Sequence, residues 1–155
     1  MGGALVAAAT VGVCGGYVSY LRRGVAESRA FLEYLTDKRR RIGNYNEGRE
    51  RVDRGSGILE ELGFLPLLRS GASSAEAMDE AAKKTAAPRQ VVSRLREYFS
   101  SCGGDYMEGE LDLLDRTVGE LRGLTEELES NLPDRIRVIY TLGLALGVGL
   151  FLLLI

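Results

Sequence analysis

Residues 111–155 read LDLLDRTVGELRGLTEELESNLPDRIRVIYTLGLALGVGLFLLLI, and two different patterns are joined in that one stretch. Over its first half Leu111, Leu114, Val118, Leu121, Leu128 and Leu132 keep nearly heptad spacing, which lays an apolar seam along one side of a helix. Thr125 takes the one polar slot in that seam. Asp112, Asp115, Glu120, Glu126, Glu127 and Glu129 occupy the other side, where a solvated helix face accounts for them and general acid–base work does not. Past Arg137 the periodicity vanishes. Val138 to Ile155 is about 18 residues without a charge, long enough at ~1.5 Å per residue to cross roughly 30 Å of hydrocarbon. An amphipathic arm therefore leads into a membrane segment, and Pro133 between them predicts a kink.

The other end mirrors this. Gly3 to Leu21 is about 19 residues without a charge, which reads as a second span. A cleaved signal would want a positive leading region, and Met-Gly-Gly-Ala supplies none. All 20 Lys and Arg and all 22 Asp and Glu lie between Arg22 and Arg137, so the 45% hydrophobic content averages two unlike regions. The basic residues near the spans fall on the middle side only: Arg22, Arg23, Arg29 and Lys38 to Arg41 after the first, Arg135 and Arg137 before the second. That bias predicts a cytoplasmic middle with both termini outside. The expected organisation is a transmembrane helix over 3–21, a cytoplasmic helical domain over 22–137 and a second transmembrane helix over 138–155. Ala8, Gly12 and Gly16 in the first span, and Gly143 and Gly147 in the second, recur every fourth residue, a spacing that lets helices approach closely. Two readings stay open: common membrane composition, or spans that pack on each other or on a partner's helix.

Within the middle, Phe31, Leu32, Leu35, Ile42 and Tyr45 fall at helical spacing opposite Glu33, Lys38, Arg40 and Arg41, so the first span continues as an amphipathic helix. Gly48, Gly55 and Gly57 interrupt the chain beyond that helix. Ile58 to Leu62 reads as a short helix stopped by Gly63, with Phe64-Leu65-Pro66 as its turn. Ser73-Ser74-Ala75-Glu76 is a capping box opening a helix to about Thr85. Pro88 suits the first position of a helix whose face is Val91, Val92, Leu95, Tyr98 and Phe99, closed by Gly103. Asp105 and Glu108 cap the last arm. The fold class is all-α: an antiparallel bundle of two long helices, with two or three short helices packed across their far end and one transmembrane helix at each end.

Chemistry is sparse. The chain has no histidine and two cysteines, Cys14 and Cys102, so it cannot assemble a Cys/His zinc site alone. No phosphate loop, nucleophile elbow or cofactor motif is present, and the net charge of −2 gives no reason to expect nucleic acid. The chain reads as a non-enzyme without cofactors. The candidate partner-binding residues are the basic run Lys38, Arg39, Arg40 and Arg41, and Phe64 and Leu65 in the apolar turn. The run serves either as a solvated face and topology signal or as a dock for an acidic surface. At about 25 Å from the span it is too far for easy phospholipid contact. The turn either plugs the domain's own core or meets a partner.

The order of features is a Gly-rich span, an Arg-rich juxtamembrane helix, a Leu-Glu…Gly-Phe-Leu turn, the junction Ser101 to Asp105, and the closing span from Thr141-Leu142-Gly143 to Ile155. It resembles the stage III sporulation protein AB family of endospore-forming bacteria, in a divergent clostridial version, over nearly the whole chain. The resemblance implies a soluble domain similar to type II secretion F and pilus platform proteins. It also implies a place in the outer forespore membrane on the mother-cell side. The implied role is a non-enzymatic platform in a secretion-like complex, coupling a cytoplasmic secretion-type ATPase to other membrane subunits, with homo-oligomers as a further option. The alternative is a membrane-tethered coiled-coil adaptor or dimerisation protein unrelated to sporulation.

Overall fold

A computed structural model describes residues 2–43, 56–102 and 107–153, with side chains over 8–42, 57–102 and 109–153. Among the described residues the chain is all-helical: α1 (Gly2–Gly43), α2 (Ser56–Glu61), α3 (Phe64–Arg69), α4 (Ser74–Lys84), α5 (Arg89–Ser101) and α6 (Met107–Leu153). The expected glycine breaks at Gly48 and Gly55, the Tyr45 position and the Asp105 cap lie outside the described residues.

The two long helices run antiparallel and touch along their length. Cys14 meets Gly143 near one end, Arg29 pairs with Glu129 midway, and Arg39 pairs with Asp115 near the other. The leucine seam of α6 faces inward, with Leu114 and Leu121 fully buried and Val118 and Thr125 nearly so. From α1, Phe31 and Leu35 enter the same core. Phe64 is its hub, with ring centroids 5.5 Å from Phe31, 5.4 Å from Tyr34 and 5.2 Å from Phe99. These tilted and edge-on pairs add specificity to the area they bury.

Local signals place the short helices. Ser73 caps α4 as a full capping box: Ser73 Oγ accepts from the Glu76 amide at 3.2 Å, and Glu76 accepts from the Ser73 amide at 3.1 Å. Gly63 takes φ 81°, a left-handed conformation open to glycine, and reverses the chain between α2 and α3. The expected turn at Phe64-Leu65-Pro66 is the first turn of α3, where a proline costs no helical hydrogen bond. Pro88 stands one residue outside α5. Its ψ of 148° is extended, and its carbonyl accepts the first helical bond, from the Val92 amide at 3.1 Å.

Two expectations are corrected. The short helices do not lie across the far end of the arms. The α4–α5 connection sits on α1 at Gly24 and Glu27, while Tyr98 near the end of α5 reaches Lys38, so α5 lies along the arms. Nor does a span stand out at each end. Among the described residues one helix, α6, is long and apolar enough to cross a membrane, and none of its apolar window is buried. The apolar run of α1 between Ala8 and Leu21 is diluted by Thr10, three glycines, Tyr17, Ser19 and Tyr20, and Arg22-Arg23 close it. At Pro133 α6 continues without a break.

Candidate functional site

The basic run is largely occupied within the chain. Lys38 Nζ donates to Tyr98 Oη and to Glu110 Oε1, each at 3.0 Å, tying α1 to α5 and α6. Burial works against its charge, but these two hydrogen bonds outweigh burial and hold the ammonium above the ordinary lysine range. Tyr98 is pushed up to about 12, first by burial and then by its hydrogen bond with Cys102, with Lys38 opposing. Arg39 Nη2 donates to Asp115 Oδ2 at 2.8 Å, and Arg41 pairs with Asp37 one turn back at 2.6 Å. Arg40 alone of the four is exposed without an ion pair among the described residues. Phe64 is fully buried and Leu65 packs half-buried against the core, so both serve the domain's interior.

Of the small residues, only Gly143 lies in tight contact within the chain. A Cβ there would run into Cys14 Sγ, and the Cys14 thiol points at the Ile139 carbonyl, Sγ to O 3.8 Å. Gly12, Gly16 and Gly147 have open space around them, and Ala8 is exposed. On α1 the side chains of Thr10 and Cys14 lie nearest Gly143 of α6, and Val18, one turn on, is 4% exposed. Gly12 and Gly16 are offset from these by two residues, about 200° around the helix, and so face away from α6.

A buried polar latch joins α1 to the α4–α5 connection, and no local pattern in the sequence marks it. Glu27 is 1% exposed, and its Oε2 accepts from the Ala86 amide and the Thr85 hydroxyl, each at 2.6 Å. Its Oε1 accepts from Arg23 Nε at 2.7 Å. One turn earlier, a Cβ on Gly24 would strike the Ala86 carbonyl, so only glycine admits this approach. Thr125 Oγ1 is buried with no hydrogen-bond partner among the described residues. Also among the described residues, no group of three acidic or cysteine side chains is arranged to hold a metal ion.

Two antiparallel helices, stapled by ion pairs at one end and by close packing at the other, hold a small helical domain against an apolar root. No protein-family model, curated protein or solved structure matches this chain.

Proposed function

We propose that this chain is a non-enzymatic membrane platform subunit of a sporulation secretion-like complex, docking a cytoplasmic secretion-type ATPase and joining other membrane subunits. The observation that carries the reading is the pairing of α1 with α6 along their length, from the Cys14–Gly143 contact to the Arg39–Asp115 ion pair. A platform that couples an ATPase to membrane subunits needs such a continuous connection between its membrane root and its docking face. In this reading the start of α1 crosses the outer forespore membrane beside α6, with both termini outside and the domain on the mother-cell side. The outward Ala8, Gly12 and Gly16 face then meets another subunit's helix.

A coiled-coil dimer is the weaker reading, because the leucine seam that would form it is already buried against α1 and the short helices. Docking is tested by co-purifying the ATPase with Arg40→Glu, since reversing Arg39 or Arg41 would also break pairs inside the chain. Reduced ATPase recovery at low salt is expected. Full recovery removes Arg40 from the dock, and steady production of the protein in growing, non-sporulating cells removes the sporulation role.

A further inference from the structure

The two long helices are in a register that neither sequence end reveals alone. Cys14 and Gly143 lie at one height, and from them the helices run antiparallel. Three residues on from each stand Tyr17 and Tyr140, six on stand Tyr20 and Arg137, and eight on stand Arg22 and Arg135. At ~1.5 Å per residue these partners share heights about 4.5, 9 and 12 Å from the contact. The Arg29–Glu129 pair at 3.5 Å shows that the register holds farther along. Tyr17, Tyr20 and Tyr140 are each about half exposed, and the rings of Tyr17 and Tyr20 stack with centroids 6.5 Å apart. The exposed large apolar side chains of α6 start at Val138, just below Tyr140, and continue above it from Leu142 to Leu153. A tyrosine girdle at the edge of an apolar surface marks a membrane–water boundary.

We infer that Arg22, Arg135 and Arg137 form a guanidinium collar that binds the headgroups of anionic phospholipids. The inference rests on the membrane-inserted reading above. All three arginines are exposed, and none forms an ion pair among the described residues. Arg23 is excluded because Glu27 holds it, with Glu61 of α2 nearby. Asp134 is the one carboxylate of α6 among the described residues between Asn131 and Tyr140, so the collar keeps an excess of positive charge. A phosphate diester at the boundary offers what this surface lacks: an anion with oxygens that accept from a guanidinium fork, on a molecule whose tails cover the apolar surface beyond.

The test places the full chain in phosphatidylcholine vesicles carrying trace spin-labelled phosphatidylglycerol or spin-labelled phosphatidylcholine. The motionally restricted, protein-bound fraction of each label is then measured at low salt. A preference of about fivefold for phosphatidylglycerol is expected, roughly the attraction contributed by one basic side chain near an anionic surface. It should fall to about one in the triple variant R22Q/R135Q/R137Q and persist in R22K/R135K/R137K, which separates lost charge from lost fold. Equal restriction of both labels by the unmodified chain would overturn the collar while leaving insertion intact. Absence of any restricted label would overturn insertion and the collar together. If inorganic phosphate abolished the preference where chloride at the same ionic strength did not, the site would belong to a free anion and the lipid assignment would fall.

Discussion

Glu27 has three donors on its two oxygens and almost no contact with water, so removing it strands groups that cannot find substitutes. Glu27→Ala should destabilise the full chain by about 2 kcal/mol or more, because the Ala86 amide is left buried and unpaired. Glu27→Gln keeps an acceptor for the amide and should cost about half as much. Thermal unfolding in detergent micelles, followed by circular dichroism, separates the two, and equal effects would mean that the latch depends on charge alone. Lys38 and Tyr98 give a second handle. Folding raises both above their ordinary values of 10.5 and 10.0. A raised value means that the folded state holds its proton more tightly, so each contribution is complete below about pH 10 and is lost as pH climbs through the folded values. Stability attributable to this pair should be flat from neutrality to about pH 10 and fall toward pH 12. Lys38→Met should shallow that alkaline descent, and an unchanged slope would show that the hydrogen bonds contribute nothing.

At the scale of elements, the small-residue pattern divides into two functions that spacing alone cannot separate. Gly143 is needed inside the chain, whereas Gly12, Gly16 and Gly147 are not. Gly143→Leu should therefore push α1 off α6 and cost about 2 kcal/mol by overpacking. Gly147→Leu should leave the unfolding temperature of the isolated protein unchanged. The same thermal scan reads both, and two equal losses would place Gly147 in the seam as well. Legibility in the sequence divides in the same way, between local and distant partners. The α4 capping box and the α6 leucine seam depend on neighbours within a few residues, and both appear where the spacing puts them. Lys38 and Arg39 look like a free patch in the sequence because their acids lie 72 and 76 residues away. Glu27 gives no signal because its amide donor is 59 residues distant. Helix α3 resembles a turn because Gly63 and Pro66 carry turn propensity, while burial of Phe64 favours the helix.

For the whole molecule, antiparallel pairing constrains topology more tightly than hydropathy does. By composition, the described residues offer one helix able to cross a membrane, yet α1 lies against that helix at Cys14, on the apolar side of the tyrosines. On the proposed reading that segment enters the bilayer together with α6, because the contact joins residues of the same apolar surface. On the proposed membrane-inserted reading, two antiparallel helices in register leave the bilayer on the same side, so the start of α1 and the end of α6 share a compartment whatever the orientation. Arginine bias then predicts that this compartment is outside, opposite the domain. Epitope tags at the two termini should both be reached by antibody on intact protoplasts, while Ser70→Cys, in the exposed turn after α3, should react with an impermeant maleimide only after permeabilisation. A C-terminal tag outside with an N-terminal tag inside would break the pairing of α1 with α6 in the membrane, and with it the continuous connection on which the platform reading depends.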